Sequence, residues 1–420
     1  MRKLIGFLLG VLLALALSAA LLVALAWHAL APQPGEWSMA LRIGRFEREA
    51  SVPTLLRWAA HPLALPWLDG RRLGGWQLKA EGAHRLAAQC APCRMRLDAL
   101  GPEPIVIDEA RLLVDVRGAD RYDGTLRLGR GERPVTLAWR AELRRDGLAV
   151  KAELPATPLA RALAPFASAV PELAGAQVQG SVALKLDATL GAGGWHVATL
   201  KPVLADVAVD GLGTETLRDV DVAQRCRPQP AGGRIEGWIQ NAVIAAEDQR
   251  FFEHPGYELD AWVSVFKANQ REGEPLQGAS TITQQLAKLL YTGDERGAAR
   301  KLREWLYAVE MERTLGKGRI LQLYLALLPW GDGVCGAEAA ARHHLGKSAH
   351  QLKPREAAWL ASLLINPDQQ LRRWAADEAA ARERTARVLQ GIRRLPRERR
   401  EAELDALVSW RPPIGRSPTR

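Results

Sequence analysis

The sequence predicts a multidomain chain: an N-terminal transmembrane helix, a β-rich middle domain and a mainly α-helical C-terminal domain. Three observations carry that prediction. Leu4 to Trp27 is an apolar run without a charged residue; a period-two alternation recurs between about 36 and 220; beyond 237 the apolar period becomes helical. The boundaries read as 1–35 for the cytoplasmic N-terminus and anchor, 36–224 for the β-rich extracytoplasmic domain and 225–236 for a linker, followed by 237–370 for the helical domain and 371–420 for an Arg-rich helical segment.

The apolar run is long enough, at about 1.5 Å per helical residue, to cross a hydrocarbon core of roughly 30 Å. Arg2 and Lys3 precede it, so the N-terminus is expected in the cytoplasm and the remainder outside it. A cleaved signal peptide is the alternative, but its apolar region usually spans only about 7–15 residues. The expected location is therefore a membrane, single-pass, with the folded domains exported from the cytoplasm. A net charge of +10 favours an anionic partner. Export leaves phosphates and acidic lipid headgroups and excludes nucleic acid.

In the middle region Val135, Leu137, Trp139, Ala141 and Leu143 alternate with polar or small residues, Asp146-Gly147 supplies a hairpin turn, and Leu148, Val150, Ala152 and Leu154 resume the alternation. Val178, Val182, Leu184 and Leu186 repeat it, with a short helix expected near Thr157 to Ala169. His61, His84 and His196 stand isolated, so the region reads as a scaffold or partner-binding domain. Cys90-Ala91-Pro92-Cys93 has the spacing of a redox pair or half a zinc site, yet no second CxxC completes a metal site. In an oxidising compartment a Cys90–Cys93 structural disulfide is the favoured reading. The pairing of Cys226 and Cys335 stays open.

Pro228, Pro230, Gly232 and Gly233 mark the linker. After it Leu302, Leu306, Val309 and Leu315 suit one helix face, Ile320, Leu321, Tyr324 and Leu325 another, and Glu356 to Leu364 a third helix ended by Asn366-Pro367. One or two amphipathic surface helices are expected over about 370 to 410.

Candidate chemistry gathers between 241 and 304. Glu247 follows Ala242 to Ala246, an apolar setting that raises a carboxylate's proton affinity toward that of a general base; a solvated acidic pair with Asp248 is the plainer reading. Ser280 or Thr281 can cap the next helix with Gln284 completing a capping box, and a helix N-terminus can also receive phosphate oxygens, with Lys288 adding charge. Arg300 and Lys301 stand four and three residues before Glu304, either as a surface ion-pair ladder or as a phosphate site with an embedded carboxylate.

In this order the segments resemble the family 51 glycosyltransferases, the peptidoglycan polymerases of bacterial envelopes. Glu247-Asp248, Phe251, His254 and Gly256 resemble the first motif of that family, and GASTITQQLAK (278 to 288) the second. RKLRE (300 to 304) resembles the third, Lys317 with Ile320-Leu321 and Tyr324-Leu325 the fourth, and Gly331, Gly336, Glu338-Ala339-Ala340 with Leu345-Gly346-Lys347 the fifth. Ala279 and Ala326 stand where the family has glycine and asparagine, Gln322 replaces a common glutamate, and His344-Leu345 replaces Tyr-Phe.

The resemblance implies a lysozyme-like helical domain acting on lipid II and the growing glycan strand. It implies Glu247 as the catalytic base, Glu304 as the second catalytic carboxylate, and a divalent cation, Mg or Mn, at Glu304 as a possible cofactor. Lys288, Arg296, Arg300 and Lys301 would stabilise the departing pyrophosphate. Asp248, Phe251, His254, Ser280, Thr281, Gln284 and Gln285 would complete the substrate site. Membrane lipids are expected to meet Trp262, Val263 and Phe266, for which core packing is an equal alternative, and cell-wall synthesis proteins to meet the 36–224 domain. Ser264 to Lys267 matches the SxxK pattern of penicillin-binding transpeptidases, but no KTG or SxN follows. A non-catalytic scaffold that retains lipid II binding and a lytic glycan-cleaving enzyme are the competing readings.

Overall fold

The computed structural model describes residues 24–43, 46–95, 104–131, 134–219, 235–272, 280–294, 297–331 and 333–411, together with 17, 18 and 21. Most of the apolar run, Cys226, most of the 225–236 linker, Gly278-Ala279 and Arg296 lie outside them. Residues 24–30 are helical, and no helix among the described residues is long and apolar enough to cross a membrane. Two compact units emerge. One takes residues up to Met95, Ile105–Ala169 and Gly180–Ala205; the other takes Val170–Gln179 and everything described from Asp206 onward.

The first unit is β-rich. A hairpin of β1 (Ser38–Ile43) and β2 (Phe46–Ser51) leads into helix α1 (Val52–Ala59), whose N-cap Ser51 accepts the amide of Thr54 at 3.1 Å. After a short helix α2 (Leu65–Leu68), the chain lays down β3 (Arg72–Leu73), β4 (Trp76–Ala80) and β5 (Arg85–Cys90). A separate hairpin of β6 (Cys93–Met95) and β7 (Ile105–Ile107) interrupts this sheet. The sheet continues with β8 (Ala110–Val116), β9 (Arg121–Leu128), β10 (Val135–Leu143), β11 (Gly147–Pro158), β12 (Gln177–Gly191) and β13 (Gly194–Asp210). Its nine strands lie in the order β13-β12-β11-β10-β9-β8-β5-β4-β3.

Alternation explains the register. On β10 Val135, Ala141 and Leu143 are buried while Thr136, Ala138, Arg140 and Glu142 are exposed, and Leu143 faces Leu148 across the hairpin to β11. Helix α3 (Leu159–Leu163) falls within the stretch where a short helix is expected. A disulfide joins Cys90 to Cys93 where β5 passes into the β6–β7 hairpin, and both residues pack with Ile107 and Ala110. Cys335, in the other unit, is also disulfide-bonded.

The second unit is helical: α4 (Trp238–Glu247), α5 (Leu259–Glu272), α6 (Ile282–Ala287), α7 (Ala298–Thr314), α8 (Gly316–Leu327), α9 (Ala337–Leu345), α10 (Pro354–Ser362), α11 (Pro367–Ala376), α12 (Glu378–Gly391) and α13 (Arg397–Ser409). One hydrophobic core unites Ile239 and Val243 of α4, Leu286 of α6, Met311 of α7, Tyr324 of α8, Trp359 of α10, Trp374 of α11 and Leu389 of α12. The Arg-rich segment is thus three helices rather than one or two, and its apolar stripes complete this core. Asn366-Pro367 opens α11 as well as following α10. Asn366 accepts the amide of Gln369 at 3.2 Å, and proline at the first helical position lacks only an N–H that has no partner there.

Residues 206–219 are fastened to α7 by a buried carboxylate. Glu310 accepts the amides of Leu212 at 2.7 Å and Thr214 at 3.2 Å, and Arg319 of α8 donates to the carbonyl of Leu217. Ahead of α4, Ile235 is gripped by Gln322 of α8, whose Oε1 accepts the Ile235 amide at 2.9 Å while its Nε2 donates to the Ile235 carbonyl at 3.0 Å. A glutamate could only accept here, so this departure from the family pattern serves a two-way hydrogen bond.

Candidate active site

Helix α4 is apolar nearly throughout, with Ile239, Ala242, Val243 and Ala245 buried, and it delivers Glu247 at its last turn. Glu247 is partly exposed. One carboxylate oxygen, Oε2, accepts from Gln285 Nε2 at 3.0 Å, and Oε1 has no partner among the described residues. Burial raises the proton affinity of Glu247 above that of an ordinary glutamate; the Gln285 hydrogen bond and the positive charge of Arg384 oppose the rise, and Asp248 adds to it.

Asp248 breaks the helix with extended backbone and points inward. Its carboxylate accepts from His254 Nε2 at 2.9 and 3.0 Å and from the Ile282 amide at 2.9 Å. The Gly256 amide donates to His254 Nδ1 at 3.1 Å, which assigns the ring proton to Nε2. Phe251 is wholly buried beneath the Lys317 ammonium, 4.5 Å from the ring centre, and Lys317 also donates to Glu312 at 2.8 Å. Gly256 is required by space and by conformation. Its φ is +88°, and a Cβ would lie 2.7 Å from Glu312 Cγ and 3.1 Å from the Ala308 carbonyl oxygen.

Helix α6 begins with the capping box the sequence suggests, on Thr281 rather than Ser280. Thr281 Oγ1 accepts the Gln284 amide at 3.2 Å, and Gln284 Oε1 accepts the Thr281 amide at 3.1 Å. Thr281 also donates to the Gly256 carbonyl at 2.7 Å. With Asp248 on the Ile282 amide and Thr281 on the Gln284 amide, protein groups already take two of the amides that open this helix. Asp248, His254, Thr281 and Gln284 together form a buried brace joining the first two motifs.

Ser280, one residue earlier, faces the third motif. Its hydroxyl accepts from Lys301 Nζ at 2.5 Å, and Lys301 donates to Glu304 Oε2 at 2.8 Å. Arg300 binds the other oxygen, Oε1, and Arg300 Nε is buried without a hydrogen-bond partner. Glu304 is 1% exposed. Both Glu304 oxygens therefore serve cations of the chain, and no group of three His, Cys, Asp or Glu converges among the described residues. That donor set does not fit a divalent cation. Lys288 sits at the end of α6, pairs with Asp294 at 2.9 Å and keeps much of its surface in solvent.

Gln285 links the two ends of the site. Its Nε2 reaches Glu247 and, at 3.5 Å, the Ser280 carbonyl, so that Glu247, Gln285, Ser280, Lys301, Glu304 and Arg300 form one unbroken chain of contacts. Two participants were not singled out from sequence. Tyr324 donates to Gln285 Oε1 at 2.5 Å, and Arg384 of α12 acts on Glu247 while donating to the Ser362 carbonyl at 3.0 Å. Tyr324 belongs to the fourth motif and to an apolar helix face, and Arg384 to the Arg-rich stretch expected as surface helices. At the other departures, His344 Nε2 lies 3.3 Å from the Trp330 carbonyl and its ring meets Trp359 edge to face, while the Ala326 carbonyl lies where a Cβ on Gly336 would fall at 2.9 Å.

A family of transglycosylases matches residues 216–393. Similar relatives include the biosynthetic peptidoglycan transglycosylase of Nitrosomonas eutropha, 45% identical over 134 residues, 32% of this chain and 55% of the relative. That of Azoarcus sp. is 45% identical over 129 residues, 31% of this chain and 56% of the relative. That of Thiobacillus denitrificans is 38% identical over 179 residues, 43% of this chain and 75% of the relative. The chain thus spans about half the length of the first two and three quarters of the third. A helical unit carrying a half-buried carboxylate beside a cation cluster is the class of site at hand, and the chain belongs to the transglycosylase family of the biosynthetic peptidoglycan transglycosylases.

Proposed function

We propose that this chain is a peptidoglycan glycosyltransferase that polymerises lipid II into glycan strands and releases polyprenyl pyrophosphate. One observation carries the reading: the contact chain from Glu247 to Arg300 sets a carboxylate of raised proton affinity beside a fixed pair of cations. Glu247 Oε1 takes the proton of the acceptor sugar hydroxyl. The hydroxyl oxygen bonds to the anomeric carbon of the donor strand as the bond from that carbon to the pyrophosphate oxygen breaks, inverting the carbon and sending the electron pair to the leaving group.

Arg300, Lys301 and Lys288 supply positive charge where negative charge develops, a contribution that often dominates catalysis. Arg296 is assigned the same role by the family resemblance. The buried, unpartnered Nε of Arg300 is a donor suited to a phosphate oxygen. Glu304 positions the two cations. Ser280 and Gln285 bound the donor site, whereas Asp248, Phe251, His254, Thr281 and Gln284 act by bracing the turn that follows Glu247 against α6.

The reading places the chain in the inner membrane through Leu4 to Trp27, with its catalytic unit periplasmic, membrane lipids against α5 and cell-wall synthesis proteins as partners of the β-rich unit. Labelled lipid II tests it. Strand formation by the full chain, lost in Glu247→Gln, is the expected outcome. Binding of lipid II without turnover would favour a scaffold, and cleavage of finished glycan a lytic enzyme.

A further inference from the structure

We propose that Tyr324 is a positioning residue for Glu247, acting through Gln285 to fix which carboxylate oxygen is bonded and which is left to accept a proton. The proposal rests on the reading of Glu247 as the base and extends it into the core of the helical unit.

The geometry has three parts. Tyr324 belongs to α8 and is wholly buried, so its ring is held by the packing of the core and its hydroxyl sits at one place. That hydroxyl donates to Gln285 Oε1 at 2.5 Å. The opposite end of the same amide donates to Glu247 Oε2 at 3.0 Å and to the Ser280 carbonyl at 3.5 Å. A turned amide would set its oxygen against a carboxylate oxygen and a carbonyl oxygen at once, two contacts between acceptors. A glutamine side chain unrestrained at its tip samples several rotamers. Held at Oε1 by a hydroxyl that the core cannot let move, this one keeps its NH2 on Glu247, and Oε1 of Glu247 is the oxygen left over.

Tyr324 cannot exchange roles with the base. Burial, and then the nearby carboxylates Glu247 and Asp248, push its phenol well above the usual range, so it stays neutral and donating wherever the enzyme works. Among the described residues, the groups that act on Glu247 are Gln285 from α6, Arg384 from α12 and the adjacent Asp248, with Tyr324 from α8 near enough to feel its charge. Among them Gln285 alone makes a direct hydrogen bond to the carboxylate. A donor to a carboxylate favours its charged form. Loosening Gln285 therefore raises the proton affinity of Glu247, and the base is lost first at the acid end of the pH range.

The test compares full-length wild type with Tyr324→Phe, Gln285→Met and the double variant, following lipid II polymerisation across pH and the titration of ¹³C-labelled glutamate carboxyls. The Glu247 resonance is identified by its loss in Glu247→Gln. Tyr324→Phe is expected to lower kcat about ten-fold at the acid end, to converge on wild type as pH rises, to leave KM for lipid II unchanged and to move the Glu247 titration upward. In the Gln285→Met background it is expected to add nothing. A rate lowered in parallel at every pH, a Glu247 titration that superimposes on wild type, or a further loss in the double variant would each overturn the relay. Undiminished polymerisation by Glu247→Gln would instead remove the base assignment, and the carboxyl titration would still decide whether Tyr324 governs Glu247.

Discussion

Glu247 and Glu304 belong to one contact chain and are handled in opposite ways. Glu247 keeps an oxygen that has no partner among the described residues, meets solvent, and has its proton affinity raised by burial. Glu304 is almost wholly buried, and each oxygen is held by a cation of its own helix. The difference separates chemistry from architecture: a carboxylate that must take a proton is left underbonded, while one that must keep two cations in place is fully bonded.

The sharpest way to break this contrast is Glu247→Gln. The amide is close to isosteric with the carboxylate but cannot take a proton, so polymerisation is expected to fall about 10³-fold with the melting temperature nearly unchanged, as lipid II turnover and thermal denaturation will report. Glu304→Gln should do the reverse in kind. Removing the charge leaves Arg300 and Lys301 facing each other without compensation. Because both retain some solvent contact, a loss of about 2 kcal/mol is expected in a denaturant titration, below the roughly 3–5 kcal/mol of a fully buried pair. Asp248→Asn weakens the bonds to His254 and the Ile282 amide at the brace, and about 1–2 kcal/mol of stability should go with them, with a smaller rate loss measurable in the same lipid II assay.

Smaller changes sharpen the picture. Gln322→Glu sets an acceptor against the Ile235 carbonyl and should cost about 1 kcal/mol in denaturant unfolding. Arg384→Ala removes a positive charge that favours ionised Glu247. The base must be deprotonated to act, and its proton affinity is already raised, so the acid limb of the rate profile should move further toward alkaline pH with little change on its alkaline side.

Much of this site was legible in the sequence where contacts are local. The capping box of Thr281 and Gln284, the Arg300 and Lys301 pairs with Glu304, and the apolar approach to Glu247 all lie within a turn or two of chain. The alternation of β10 and β11 and the presence of a hairpin between them are legible in the same way, but the register is not: a two-residue Asp146-Gly147 turn would pair Arg145 with Leu148, and the strands instead pair Leu143 with Leu148. What could not be read are contacts between distant segments. Gln285 and Tyr324 are 39 positions apart, and Ile235 and Gln322 are 87. Nor does helical period reveal that Asp248 turns inward, because it lies just beyond the last turn of α4, where the backbone leaves the helix. Arg384 was hidden by its neighbours: in a segment crowded with arginine, composition does not say which one lends its charge to Glu247.

The grip of Gln322 on Ile235 has a mechanical consequence. Ile235 lies just ahead of α4, which carries Glu247 at its far end. Both the amide and the carbonyl of Ile235 are tied to α8, and Gln240 reaches back to the same carbonyl at 2.5 Å. A pull on the chain ahead of Ile235 is delivered first to α8, as cable strain goes to a clamp rather than to the soldered joint behind it.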